Sequence, residues 1–116
     1  MVLYDKQREE FKKILGNFSF SPKQLENILV GLDEGLEISL YAKREFSYKQ
    51  MEQIRLGLEE GLDVSIYAKS RYTWEQMKQI RYGLQDGVDV SVYTDSRFNH
   101  LKMLAIRNDL KRKMDA

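Results

Sequence analysis

The spacing of apolar residues along the chain predicts a series of amphipathic helices of similar length. In the middle of the chain, apolar residues at i, i+3, i+7 and i+11 define one helical face: Met51, Ile54, Leu58 and Leu62. The same pattern begins again 26 residues later, at Met77. Glycine readily adopts the left-handed conformation that follows many helix ends. Three glycines therefore mark the predicted ends: Gly35, Gly61 and Gly87.

The pattern recurs because the chain contains three copies of one 26-residue unit, at residues 21–46, 47–72 and 73–98. Each adjacent pair of copies shares 14 of 26 residues without a gap. A fixed period in this range indicates one supersecondary unit stacked on itself, because a single unit is too small to bury its apolar face alone. We predict an all-α fold, a small α-solenoid of three repeats in which a long helix alternates with a short helix or an extended return.

The start of each long helix has its own signals. Ser21, Ser47 and Thr73 occupy the N-cap position, and a glutamine follows each of them three residues later, which predicts a capping box. The return between helices is too short for a second long helix, and a strand is the alternative to a short helix there. The predicted caps of a short return helix are Ser39, Ser65 and Ser91. The tyrosines predicted to face the long helices are Tyr41, Tyr67 and Tyr93.

Residues 1–20 and 99–116 are the predicted N- and C-terminal capping helices of the array. Asp5 to Leu15 form the predicted N-terminal helix, with Phe11 facing inward. Residues 99–116 repeat the register of a fourth long helix, but Asp109 and Lys113 replace its two glycines, so we expect this helix to run on. Glycine inside a helix is unfavourable by about 0.5 to 1 kcal/mol relative to alanine. We expect close approach of the next unit's backbone to explain the interior glycines, Gly31, Gly57 and Gly83.

Composition narrows the classes of function. Lys plus Arg is 19 and Asp plus Glu is 18, so net charge gives no general attraction to nucleic acid or to anionic membrane. The sequence contains one histidine, His100, and no cysteine, so few side chains are able to serve as a nucleophile, a general base or a metal ligand. We therefore expect no enzyme activity, no cofactor and no metal. The apolar runs are short and interrupted by charge, which predicts a cytoplasmic protein with no membrane partner.

Recurring charges predict two edges of opposite sign, because equivalent positions in adjacent repeats lie roughly 10 Å apart. The acidic ridge lies at or just after the helix C-termini and comprises Glu34, Glu37, Glu59, Glu60, Asp63, Asp86 and Asp89. The basic edge precedes the helix N-termini and comprises Lys43, Arg44, Lys69, Arg71 and Arg97. Both signs oppose the helix dipole. The acidic ridge is therefore a candidate site for a basic partner, with salt bridges between repeats as the alternative interpretation. Pairing of the two edges between copies predicts a monomer or a weak homodimer.

A row of arginines recurs beside the apolar face at Arg55, Arg81 and Arg107, with Leu29 at the same place in the first copy. We expect their stems to pack and their head groups to reach acids of the preceding unit. The expected partners are Glu37, Asp63 and Asp89.

A second candidate surface lies away from the main apolar face. This aromatic strip comprises Tyr48, Leu56, Trp74 and Tyr82, with Val30 at the equivalent place in the first copy. Aromatic and aliphatic anchors in a row suit a protein partner. The alternative is a structural role, in which Val30, Leu56 and Tyr82 pack on Leu36, Leu62 and Val88 at the helix ends. Nucleic-acid binding is the alternative function, and it would use the basic edge together with Lys111 and Arg112 of the last helix.

Residues 21–98 resemble a tandem helical repeat of uncharacterised proteins from Firmicutes, their phages and their integrative elements. That repeat has the form Y-A-x-x-x-F-x-x-x-Q-M-x-Q-I-R-x-G-L-x-x-G-L-D-V-S, and this chain matches it best in QMEQIRLGLEEGLDVSIYAK. It departs from the pattern by having lysine or serine where Asp-Pro often follows Y-A. The resemblance implies a phage or mobile-element accessory protein that acts as an inhibitor of a host protein or as an adaptor for one. Together these features predict a non-enzymatic protein–protein interaction module.

Overall fold

All secondary structure in the part of the chain that the computed structural model describes, residues 9, 11–13, 16 and 19–116, is helical. The four long helices are α1 (Pro22–Asp33), α2 (Tyr48–Glu59), α3 (Trp74–Asp86) and α4 (His100–Asp115). Between them lie three 3₁₀ helices, Ile38–Leu40, Val64–Ile66 and Val90–Val92. The return is therefore a single helical turn, and no described residue adopts the strand that was the alternative.

The two ends of the chain frame these helices. Residues 9, 11–13 and 16 are helical, and the half-buried Phe11 packs against the core, as predicted. The other residues of the predicted helix from Asp5 to Leu15 lie outside the described residues. At the other end α4 continues to Asp115. It passes through the positions where Asp109 and Lys113 replace the two glycines of the repeats, which confirms that prediction. No helix among the described residues is long and apolar enough to cross a membrane.

The predicted capping boxes are confirmed in all three repeats. The hydroxyls of Ser21, Ser47 and Thr73 accept hydrogen bonds from the backbone N–H three residues later. The glutamine at that third position returns the bond, since its side-chain oxygen accepts from the N-cap N–H at 2.8 Å in each repeat. Helix α4 starts with Asn99, whose Oδ1 accepts from the N–H of Lys102 at 2.8 Å.

The predicted helix ends are confirmed as well. Gly35, Gly61 and Gly87 have φ angles of 74°, 73° and 76°, which place them in the left-handed region. The residue after each of these glycines donates its N–H to the carbonyl of the glycine inside the same helix, as Leu62 does to Gly57 at 2.9 Å. This bond satisfies a carbonyl that the helix end would leave without a partner.

The caps of the 3₁₀ helices differ from the prediction. Their N-cap residues are acidic, at Glu37, Asp63 and Asp89. Asp63 Oδ1 accepts from the N–H and from the hydroxyl of Ser65, at 3.2 and 2.5 Å. Asp89 makes the same two contacts with Ser91, whereas Glu37 makes no side-chain cap bond. The prediction that serines cap the return was wrong, because an aspartate two residues earlier accepts from both serine donors.

The tyrosines of the returns face the long helices, as predicted, and are fully buried. Each hydroxyl donates to a backbone carbonyl in the long helix of its own unit, at 2.6 to 2.8 Å. The pairs are Tyr41 with Asn27, Tyr67 with Gln53 and Tyr93 with Gln79. Burial raises the pKa of all three phenols, so they stay protonated donors at neutral pH.

The same tyrosines explain the glycines inside the long helices. A Cβ at Gly31, Gly57 or Gly83 would overlap the tyrosine hydroxyl of its own unit, and at Gly57 it would also lie 2.7 Å from Val64 Cγ1. The expectation that the next unit's backbone requires these glycines was therefore wrong. The 3₁₀ helix of the same unit occupies that space. Helix α4 carries Asp109 at this position, and no described tyrosine return packs against it.

We expect Gly57→Leu to lower the free energy of unfolding by more than about 2 kcal/mol, although leucine has the better helix propensity. The added side chain must displace Tyr67 and Val64 from the core. Denaturant unfolding followed by circular dichroism measures the change.

The matched control is Asp109→Gly, which makes the reverse change in α4. It should produce only the small loss expected from glycine's helix propensity. A neutral or stabilising Gly57→Leu would contradict the packing of tyrosine over glycine.

Candidate functional site

The long helices lie side by side and parallel. Near their N-termini, the side chain of Gln50 in α2 donates to the carbonyl of Tyr72, directly before the cap of α3. Near their C-termini, Glu60 after α2 accepts a hydrogen bond from Arg81 in the second half of α3. The helix N-termini therefore form one edge of the molecule and the C-termini form the other.

The glutamines of the capping boxes link each long helix to the start of the next one, a role that our sequence analysis missed. Each side-chain oxygen closes its own helix, and each side-chain nitrogen donates to the last backbone carbonyl of its own unit, directly before the cap of the next long helix. The bonds run from Gln24 to Phe46 at 2.7 Å, from Gln50 to Tyr72 at 2.6 Å and from Gln76 to Phe98 at 2.8 Å. Glutamate would also complete a capping box, yet glutamine recurs at this position in all three repeats. That recurrence was the signal in the sequence for a second role of the amide.

A second set of amide side chains accepts hydrogen bonds from the arginine row. The Nε atom of each arginine donates to an amide oxygen of the preceding helix, at 3.0 to 3.2 Å. The pairs are Arg55 with Asn27, Arg81 with Gln53 and Arg107 with Gln79. All three amide side chains are buried. An amide that recurs at one position in every copy was a second signal that sequence reasoning missed.

The arginine head groups reach acids, as expected, but not the acids that were predicted. Arg81 pairs with Glu60 and Arg107 pairs with Asp86, each at 2.9 Å and each across a helix junction. Arg55 pairs with Glu59 of its own helix. The predicted partners Asp63 and Asp89 instead cap the 3₁₀ helices. The carboxylate near each helix C-terminus lies closer, because the next helix is parallel and in register with it.

The three junctions differ in charge at this C-terminal edge. The junction of α1 with α2 brings together Glu34, Arg55 and Glu59, and a hydrogen bond with Glu59 is the main reason that the pKa of Glu34 is raised. The next junction combines Glu60, Arg81 and Gln85. The last one combines Asp86, Arg107 and Lys111. The local charge therefore changes from negative to positive along the array.

The acidic ridge lies along one edge, and most of its carboxylates contact other groups of this chain. Glu59, Glu60 and Asp86 form ion pairs. Asp63 and Asp89 cap 3₁₀ helices, while Glu37 is exposed and makes no cap bond. A basic partner at this edge would compete with these internal contacts.

The basic edge is exposed and mostly unpaired. The side chains of Lys43, Lys69 and Arg71 form no ion pair with any described residue, and Arg71 lies 5.2 Å from the centre of the Tyr72 ring. Arg97 pairs with Asp95 at 2.7 Å, and its hydrogen bonds lower the pKa of Asp95 to about 2. The two other predicted nucleic-acid contacts, Lys111 and Arg112, lie near the opposite end of the 16-residue helix α4.

All side chains of the aromatic strip are half-buried. The groove between α1 and α2 has a volume of 190 Å³ and is lined by Val30 and Tyr48 among others. Leu56 and Trp74 occupy the equivalent positions one repeat later.

Cations accompany the rings of the aromatic strip. The Nζ atom of Lys23 lies 5.0 Å from the ring centre of Tyr48, and that of Lys49 lies 4.8 Å from the ring centre of Trp74. The ring of Tyr82 has three cationic neighbours at 4.8 to 5.6 Å: Lys78, Arg81 and Arg107. Such contacts hold the rings in place. The groove between α1 and α2 carries both signs of charge, since Glu26 and Glu52 line it together with Lys23 and Arg55.

A search for metal sites among the described residues and comparisons with known proteins were both without a match. Within the described ranges, no group of three or more His, Cys, Asp or Glu side chains is arranged to hold a metal ion. Comparison with protein-family models, curated proteins and solved structures found no match to this chain. The candidate surfaces therefore depend on the geometry of this chain alone.

We expect Gln50→Glu to lower the free energy of unfolding by about 1 to 3 kcal/mol. Glutamate can still accept from the N-cap N–H of Ser47, but it cannot donate to the carbonyl of Tyr72 and instead places a negative charge beside it. Denaturant unfolding measures the loss.

Lys102→Glu is the matched control, because Lys102 has the same position in α4 and no unit follows it among the described residues. This change completes a capping box with Asn99 and should leave stability within about 0.5 kcal/mol of the original. Equal losses in the two variants would show that the glutamine acts only within its own helix.

Proposed function

We propose that this chain is a non-enzymatic protein–protein interaction module, a small α-solenoid of three repeats with capping helices. The observation that carries the proposal is the aromatic strip, in which half-buried aromatic and aliphatic side chains recur on successive parallel helices and two of them line a groove between α1 and α2. Trp74 and Tyr48 are the residue types that most often dominate binding energy at protein interfaces.

The setting of the strip favours binding because its side chains are held before a partner arrives. Lys23 and Lys49 lie over the rings of Tyr48 and Trp74, and the long helices carry these rings on a core that is continuous from one unit to the next. An anchor that is already ordered loses little entropy on binding, so more of its contact energy appears as affinity.

The aromatic strip is a better candidate surface than the acidic ridge. Glu60 and Asp86 already join adjacent units through Arg81 and Arg107, so a partner there would have to replace structural ion pairs. The resemblance to repeats of phages and mobile elements makes a host protein of the bacterial cytoplasm the proposed partner, which this chain would inhibit or recruit.

Photo-cross-linking in the source cell tests this function. A photoreactive phenylalanine analogue replaces Trp74, and we expect one discrete protein adduct after irradiation, identified by mass spectrometry. Replacing Tyr48 in the same way should give the same adduct, because both residues belong to one strip.

The control places the same analogue at Val92, an exposed apolar residue of the third 3₁₀ helix that lies outside the strip. We expect no discrete adduct from this position. An adduct from Val92 alone, or none from Trp74 and Tyr48, would contradict recognition by the grooved face.

Nucleic-acid binding is the second candidate function, and the basic edge favours it specifically. Lys43, Lys69 and Arg71 are exposed at the edge that carries the helix N-termini and have no ionic partner among the described residues. An unpaired row of cations is able to contact successive phosphates, and the aromatic rings close by are able to stack on bases.

A mobility-shift titration with a single-stranded oligonucleotide tests the second candidate. On this hypothesis, affinity falls with salt by roughly 0.7 log units per log unit of salt for each phosphate contacted. Lys69→Glu combined with Arg71→Glu should weaken binding and flatten this slope. Lys111→Glu combined with Arg112→Glu should not, since these residues lie at the other edge. A complex that shows no salt dependence, or no complex at low salt, would remove the hypothesis.

A further inference from the structure

Each long helix that is followed by another is joined to it through the same two positions, and a third position adds an ion pair at the last two junctions. In α3 these are Gln76, Gln79 and Asp86, which contact the carbonyl of Phe98 and two groups of the guanidinium of Arg107. The first position donates to the backbone before the next cap, the second accepts from the arginine Nε atom, and the third accepts from the arginine head group. Two earlier junctions repeat the first two contacts.

Helix α4 has different chemistry at all three positions. The equivalents of the α3 residues, 26 residues further on, are Lys102, Ala105 and Arg112, and all three are exposed. Arg112 stands where α3 has the carboxylate of Asp86, and Ala105 stands where α3 has the amide of Gln79. Beside Ala105, Leu101 is 63% exposed, and Leu104 is half-buried.

We infer that this outer face of α4 docks an amphipathic helix of a partner protein, and that this helix presents a carboxylate to Arg112. The inference rests on the proposed function and gives it a defined partner element. The fold itself supplies the docking geometry, because the equivalent faces of α1, α2 and α3 each carry a parallel helix. The exposed Leu101 and the half-buried Leu104 require apolar residues on the incoming helix, and Arg112 requires an acid where the repeats have arginine.

A second copy of this chain does not meet the charge requirement. The position that would face Arg112 is occupied in the four long helices by Leu29, Arg55, Arg81 and Arg107. None of them is acidic, and three would repel Arg112. The intrahelical contact of Arg112 with Asp109, at 3.0 Å, is exposed and does not occupy the face. A nucleic acid would neutralise the cations but would leave Leu101 and Ala105 without apolar cover.

A charge exchange with stapled peptides tests the docking site. The probe is a synthetic peptide of residues 73–88, stapled between Glu75 and Gln79 so that it is helical before binding. These two positions lie on the side that faces away from the preceding helix. We expect the Arg81→Glu peptide to bind the intact chain about tenfold or more tightly than the unchanged peptide, as measured by fluorescence anisotropy.

The Arg112→Glu chain should reverse this preference, and Leu101→Asp should weaken both peptides. Arg112 and Leu101 are exposed, so circular dichroism of both variants should match that of the original chain. No binding by either peptide, equal affinities, or a preference that survives Arg112→Glu would overturn the docking site. Cross-linking from Trp74 does not involve Arg112, so that result can hold when this one fails.

Discussion

One carboxamide in each of the first three long helices holds the array in register. The side-chain oxygen of Gln50 completes the capping box of α2, while its nitrogen donates to the carbonyl that precedes the cap of α3. Both bonds need the amide in one orientation, so the start of one helix fixes the position of the next. Because the bond recurs in Gln24 and Gln76, all four long helices begin at the same edge. The grooves, the arginine row and the two charged edges all follow from this parallel arrangement.

Within each unit, the buried tyrosine plays the corresponding role. The hydroxyl of Tyr67 lies against Gly57 and donates to the carbonyl of Gln53, so the 3₁₀ helix can pack on its long helix in only one register. A phenol buried in this way is stabilised by its hydrogen bond and would be destabilised if it ionised. Glycine and tyrosine therefore recur together in the three repeats, and α4 carries Asp109 at the glycine position.

The charges of the molecule divide into those that build it and those that remain free. Parallel helices add their dipoles, and acids near the C-termini are unfavourable unless cations neutralise them. Arg81 and Arg107 do this for Glu60 and Asp86, with part of each contact shielded from water. Lys43 and Lys69 at the other edge have no such partners among the described residues. The exposed cations of the basic edge therefore remain available to a binding partner, whereas three carboxylates of the acidic ridge already form ion pairs within the chain.

Sequence reasoning alone was sufficient for most of the local structure: the capping boxes at Ser21, Ser47 and Thr73, the left-handed glycines, and the tyrosines that face the long helices. These features depend on contacts between residues close in the chain, which a pattern of residue types encodes directly. The packed structure was needed to establish which acid each arginine meets, why Gly57 is glycine, that each return is a single 3₁₀ turn, and which faces remain open. Those outcomes depend on how far apart two units lie and in which register, and several acids of each repeat are compatible with the same sequence spacing. The sequence therefore predicts that Arg81 needs an acid, and the parallel packing of α2 and α3 selects Glu60.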